Sequence, residues 1–313
     1  MGHAVPTLPG RRMAGFRSPR RRMRWALTVA LAALAASADP ASASAPRQGI
    51  YESCNVQYEA ERCASRLRAI GAAGFRAVLN YQQFYADRKH LYAYAEAARR
   101  ARIQLIWPLK DEPWWRGSGL RAEYPELARD CRCASDAAFL DWVVRLVAPL
   151  PATWGYYVGD ETSPAFALET ATLGSRVRRI DPRHPRLFVS QGWSLGANLA
   201  PFRPAADVLG ADSYPVGTSS PLTVVGDVAR EVRRIARGRR SAMVLQAFSW
   251  GLYPGAGGEF DSVWPSRAEM RRMRDLAVRE GRPQLLLWYS YFDIQRSSAP
   301  ARRWRDLVAA AFG

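Results

Sequence analysis

Histidine, lysine and cysteine are scarce in this 313-residue chain, and each scarcity narrows the chemistry open to it. Of the three histidines, His3 lies near the start, His90 stands where a helix should begin, and His184 sits in a turn between Pro182 and Pro185. None falls at the end of a predicted strand, so neither a zinc site nor a Ser-His-Asp site has the imidazole it needs. Only Lys89 and Lys110 among the 45 basic side chains are lysine. The chain also lacks a glycine-rich turn after an early strand, which removes the usual attraction of an open nucleotide-binding sheet. No apolar run reaches the roughly 20 residues that cross a bilayer.

The longest apolar run, Trp25 to Ala36, follows Arg20-Arg21-Arg22 and Arg24 and leads into small residues ending Ala41-Ser42-Ala43. That order predicts a secretory signal peptide over residues 1–43, with no cysteine at its end to take a lipid. A secreted protein, extracellular or in the cell envelope and without stable membrane insertion, is the expectation. Without residues 1–46, which hold seven Arg and one Asp, the net charge falls from +17 to +11. Much of this arginine lies on predicted helix faces, as at Arg230, Arg233, Arg234 and Arg237, and no nucleic-acid module accompanies it. Nucleic acid is therefore not an expected partner, whereas an acidic polysaccharide or an anionic envelope would be attracted.

Cys54, Cys63, Cys131 and Cys133 are an even set suited to an oxidising compartment. Cys131 and Cys133 stand too close for an unstrained mutual bridge, which predicts that each pairs with one of the earlier two.

Residues 47–313 read as one domain of alternating short apolar runs and helical patterns, which argues for a parallel sheet. The candidate strands are Gly49–Ser53, Phe75–Tyr81, Ile103–Leu109, Trp154–Gly159, Arg186–Gln191, Val208–Asp212, Ala242–Phe248 and Gln284–Tyr291. Helical stretches are predicted at 56–72, 88–101, 135–148, 164–180, 221–237, 266–280 and 300–312, with a short proline-bearing connection at 193–205. Ser163-Pro164, Ser220-Pro221 and Pro265-Ser266 mark helix starts, and Gly74, Gly238 and Gly281 mark stops. Eight strand-helix units in about 270 residues predict an α/β fold, a single (β/α)8 TIM barrel, acting as a monomer.

Chemistry in such barrels sits at the carboxyl ends of the strands. Those ends carry Asn80, Trp107, Asp160-Glu161, Trp193, Asp212 with Tyr214, Gln246 with Trp250, and Trp288 with Tyr291. A sugar ring has an apolar face that stacks on Trp or Tyr and a rim of hydroxyls that bonds to carboxylates and amides, so this mixture suits a carbohydrate ligand. Cleaving a glycosidic bond needs a protonated carboxyl and a second group acting as nucleophile, base or stabiliser. Glu161 is the candidate acid, Asp212 the candidate second group, and Asp160 a neighbour expected to point to another side of the strand. The binding set is Asp160, Tyr214, Gln246, Trp193, Trp250, Trp288, Tyr291, Asn80 and Trp107; no cofactor and no metal are expected.

The series Gly155-Tyr156-Tyr157-Val158-Gly159-Asp160-Glu161, Asp207 to Pro215, Gln246-Ala247-Phe248 and Leu287 to Tyr291 resembles barrel-type glycoside hydrolases of the clan A-like set. The resemblance covers the whole domain in layout. It implies Glu161 after the fourth strand as acid/base, with Tyr214 and Gln246 near the cleavage subsite. It also implies a nucleophilic Glu on the seventh strand, where this chain has Gln246, with Glu259 thirteen residues further on. Asp212 as base or nucleophile, an acetamido group of the substrate itself, and binding without cleavage all remain open. A different class, a divalent-metal enzyme using Asp160, Glu161 and Asp212, is compatible with their hard oxygen ligands.

Overall fold

A computed structural model of the chain describes residues 45–255 and 260–313. The expected leader and Glu259 lie outside the described residues. Eight parallel strands close into a barrel in sequence order: β1 (Arg47–Glu52), β2 (Ala77–Asn80), β3 (Gln104–Pro108), β4 (Thr153–Asp160), β5 (Arg186–Ser190), β6 (Val208–Ser213), β7 (Arg240–Gln246) and β8 (Leu285–Tyr289). Pairing of β1 with β8, with Ile50 opposite Trp288, completes the ring. Each predicted strand is present with its ends shifted by a residue or two.

The helices are α1 (Ala60–Ala72), α2 (Arg88–Arg100), α3 (Glu112–Arg116), α4 (Leu120–Glu123), α5 (Pro125–Cys131), α6 (Asp136–Val147), α7 (Ala167–Ile180), α8 (Leu195–Asn198), α9 (Val224–Ala236), α10 (Arg267–Gly281), α11 (Tyr291–Arg296) and α12 (Pro300–Phe312). The three short helices α3 to α5 fill a stretch read as loop from sequence. They are held by tertiary contacts, with Trp114 donating to the Tyr124 hydroxyl at 2.9 Å beneath Phe84. Helix α10 starts at the expected capping box of Ser266 and Glu269, while α9 begins at Val224, three residues after Pro221.

Alternation along the strands sorts side chains into two layers. Leu79, Ile106, Leu187, Val189, Val244 and Leu287 fill the barrel interior. Their neighbours of opposite parity, such as Leu105, Phe188, Leu209, Met243 and Leu286, pack under the helices. Gly49 allows the first and last strands to close, since a Cβ there would meet Leu287 at 2.6 Å.

The disulfide expectation is overturned. Cys54 bonds to Cys63, with Cα atoms 5.7 Å apart, and Cys131 bonds to Cys133. Cys54 follows β1 and Cys63 lies in the first turn of α1, so the strand-helix turn itself brings them together. Arg132, at φ 52, turns the chain after α5 and faces Cys133 back towards Cys131.

Candidate active site

The carboxyl ends of the strands surround a cavity of about 750 Å³. Two backbone devices bring the acids of β4 into it. The register between β4 and β5 slips between Tyr157 and Gly159, so that Gly159 faces Phe188 and Asp160 faces Val189. This bulge moves Asp160 from the helix side to the barrel side, as bulges at barrel rims do. Asp160 and Glu161 are set apart by it, Asp160 in the barrel mouth and Glu161 beyond the strand end. Glycine is required at the bulge, because a Cβ on Gly159 would lie 2.5 Å from the Phe188 ring.

Glu161 then adopts φ 49, a left-handed conformation that costs a non-glycine residue about 1–2 kcal/mol. The twist is anchored by its N–H donating to the Val189 carbonyl at 2.9 Å. It leaves the side chain exposed on the cavity rim, where it accepts from Gln191 Nε2 at 3.2 Å.

Asp160 sits in a polar cage. Its Oδ1 accepts from the Tyr157 hydroxyl at 2.7 Å and its Oδ2 from the Tyr81 hydroxyl at 3.1 Å, with Lys110 Nζ at 3.3 Å. Burial lowers the affinity of Lys110 for its proton, but the carboxylates of Asp160 and Asp111 outweigh this and raise its pKa. Lys110 therefore carries a full positive charge beside Asp160. Burial, reinforced by the Asp160 charge, pushes the Tyr81 and Tyr157 hydroxyls well above the ordinary tyrosine pKa, and they remain neutral donors.

Asp212 comes from β6 and is buried. Its Oδ1 accepts from the Gly192 N–H at 3.1 Å, and it lines the cavity together with Glu161. Burial first, then the contact with Glu161 and the charges of Glu161 and Asp160, hold its pKa well above the usual carboxylate range.

Around these acids stands an aromatic wall. Tyr51 packs between Tyr81 and Tyr289, with centroids at 5.5 and 5.2 Å, and Tyr214 meets Phe248 edge-on at 5.1 Å. Trp250 stacks on Phe260 at 4.4 Å. Trp193, 63% exposed, stands at the rim with its face free for a ligand.

Of the residues expected from sequence, Asp160, Glu161, Trp193, Asp212, Tyr214 and Trp250 line the cavity together. Asn80, Trp107, Gln246, Trp288 and Tyr291 do not. Asn80 is buried against the backbone of Cys54, accepting from its N–H at 3.1 Å and donating to its carbonyl at 2.9 Å. Trp107 and Trp288 point under the helices and donate to Thr153 and Gln48. Tyr291 packs edge-on against Trp304. Gln246 is fully buried, with its amide bound to both backbone groups of Val216 at 2.8 and 2.9 Å. The strand-end residues Tyr51, Tyr81, Gln191, Phe248 and Tyr289 also line it, outside the expected binding set, as does Tyr253 from the loop after β7. Strand parity was the available signal: Tyr289 follows the inward Leu285 and Leu287, whereas Trp288 shares the outward parity of Leu286.

The three acids do not form a cation site. Asp160 is already met by an ammonium and two phenols, and among the described residues no group of three His, Cys, Asp or Glu side chains is placed to hold a metal ion.

The sequence matches no protein-family model and no curated protein. Solved structures are similar in fold. A family 5 glycoside hydrolase from Streptomyces cattleya, in complex with Manb1-4GlcNAc, is 14% identical at a TM-score of 0.53, over 78% of this chain and 71% of that one. A family 5 glycoside hydrolase from Bacteroides vulgatus is 12% identical at 0.58, over 83% and 63%. A beta-galactosidase from Halorubrum lacusprofundi is 14% identical at 0.61, over 85% and 57%. The chain thus spans about three fifths of the length of the latter two. Its fold is the eight-stranded parallel barrel seen in these glycoside hydrolases.

Proposed function

We propose that the chain is a secreted glycoside hydrolase acting on a poly- or oligosaccharide, with Glu161 as the proton donor. The observation that carries this reading is the gathering of Glu161, Asp160 and Asp212 in one cavity walled by aromatic side chains. Two carboxyl groups are what glycosidic cleavage asks for, and Asp160 and Asp212 both line the cavity with Glu161.

Glu161 protonates the leaving glycosidic oxygen as the bond to the anomeric carbon breaks. Asp160, paired with Lys110, stabilises the positive charge that develops on the sugar ring. The Glu161 carboxylate then takes a proton from the incoming water as its oxygen bonds to the anomeric carbon, which restores the acid. Trp193, Trp250 and Tyr214 supply stacking surfaces for the rings. The secreted location rests on the leader pattern in residues 1–43 and is supported by the Cys54–Cys63 bridge.

A second reading, glycan binding without cleavage, is favoured by Gln246, which is buried and satisfied where the related pattern has a nucleophile. Hydrolysis of a panel of soluble polysaccharides by wild type and Glu161→Gln separates the two. The hydrolase reading expects release of reducing ends by wild type, at least about 100-fold less by the variant, and retained binding. Binding by both without cleavage by either leaves the second reading.

A further inference from the structure

The two ends of the barrel differ in charge. The cavity end presents Asp160, Glu161 and Asp212, whereas the opposite end, where the strands begin, is lined with arginine. Arg240, Arg282, Arg47, Arg76 and Arg102 stand at or just before the starts of β7, β8, β1, β2 and β3. These strands are consecutive around the closed ring, so the five arginines form one arc. All are exposed, and among the described residues none has an ion-pair partner. The acids of that end, Asp181 and Asp207, are already engaged by His184 at 2.6 Å and Arg186 at 2.8 Å.

At the centre of the arc lies a second cavity of about 550 Å³, lined by Arg47, Arg76 and Arg102 with Gln104 and Gln284. Arg76 is fixed there by donating from Nη1 to the carbonyls of Gly71 and Phe75 at 2.8 Å. Helix C-termini also point to this end and favour cations, at about 0.3–1 kcal/mol each. For an arginine that directly follows a helix, that gain is smaller than the backbone cost of its position. Arg102, Arg237 and Arg282 follow α2, α9 and α10 with φ of 57, 36 and 48, in positions where glycine is the unstrained choice. Each carries a conformational cost of about 1–2 kcal/mol that a glycine would remove.

We propose that this end of the barrel is a docking surface for an anionic sugar chain bearing carboxylate or sulfate groups, seated on Arg47, Arg76 and Arg102. Guanidinium groups pair with both anions in a bidentate manner. Single-stranded nucleic acid is the less fitting polyanion, because no tryptophan or tyrosine is among the residues lining this cavity to stack a base. The choice of a sugar chain rests on the glycan-active reading of the opposite cavity. Docking there leaves the catalytic cavity open and holds the protein on acidic material.

The test measures binding of polygalacturonate, dextran sulfate, neutral dextran, duplex DNA and phosphatidylglycerol vesicles at 50 and 200 mM NaCl. The proteins compared are the full chain, the variant R47Q/R76Q/R102Q, and R68Q/R272Q/R305Q as a control that removes the same charge from helix faces. The expectation is salt-sensitive binding of polygalacturonate or dextran sulfate, weakened at least tenfold by the first variant and little by the control, with neutral dextran unbound. Equal weakening by both variants, or none by either, overturns the proposal, as does tighter binding of DNA or vesicles than of both acidic glycans. The Glu161→Gln chain binds the acidic glycans as wild type does, so failure of the hydrolase reading and failure of this surface are read separately. A thermal midpoint unchanged in R47Q/R76Q/R102Q ties its loss of binding to the surface.

Discussion

Asp212 and Glu161 line one cavity, the first buried and the second exposed. They come from different strands, Glu161 just after β4 and Asp212 within β6.

The pair makes stability depend on pH in a stated direction. Asp212 has its pKa raised on folding, so the proton is bound more tightly in the native state than in the unfolded chain. Its contribution is fully present below the unfolded-chain value of 3.8 and is lost as pH rises through the raised folded value. Asp212→Asn removes this dependence. Urea midpoints measured from pH 4 upward are expected to decline less steeply in the variant, and parallel curves would count against a raised native-state proton affinity of Asp212.

Glu161 holds a strained backbone for the sake of its side chain. Replacing it with glycine relieves the left-handed conformation and removes a carboxylate next to Asp212. A gain in stability of up to about 1 kcal/mol is expected in denaturant unfolding, together with loss of hydrolysis. A destabilised Glu161→Gly would show that the left-handed turn is not a source of strain.

Gly159 controls the same segment from the other face. A Cβ there meets Phe188 at 2.5 Å, and Phe188 is itself stacked on Phe202 at 3.9 Å. Gly159→Ala is expected to destabilise the fold by about 1–3 kcal/mol, as overpacking does. It should also lower kcat more than it raises KM, since the bulge that aims Asp160 is displaced. A fall confined to stability, with kcat unchanged, would separate the bulge from the chemistry.

Trp193 stands at the rim, away from the three acids' hydrogen bonds, and offers stacking surface alone. Trp193→Ala is expected to raise KM several-fold on long substrates while leaving kcat nearly unchanged. Equal losses on short and long substrates would argue against a subsite there.

The barrel was legible in the sequence because burial on both faces of a parallel strand needs runs such as Leu285-Leu286-Leu287, and loops between such runs are marked by proline, glycine and capping residues. For the same reason the acids at the end of β4 stood out. Strand-end tryptophans misled, since Trp107 and Trp288 occupy outward positions and pack under helices. Side-chain identity drew the eye to these tryptophans; parity put Tyr51 and Tyr289 on the cavity wall instead.

What residue order alone determined is the count of strand-helix units and the placing of Asp160, Glu161 and Asp212 at strand ends, because hydrophobic periodicity is a local property. Tertiary structure decided which side chains meet. The slip in register at Gly159, the left-handed turn at Glu161 and the disulfide partners depend on neighbouring strands and helices brought together by folding. A one-residue slip reverses which way a side chain points, and no local pattern encodes it.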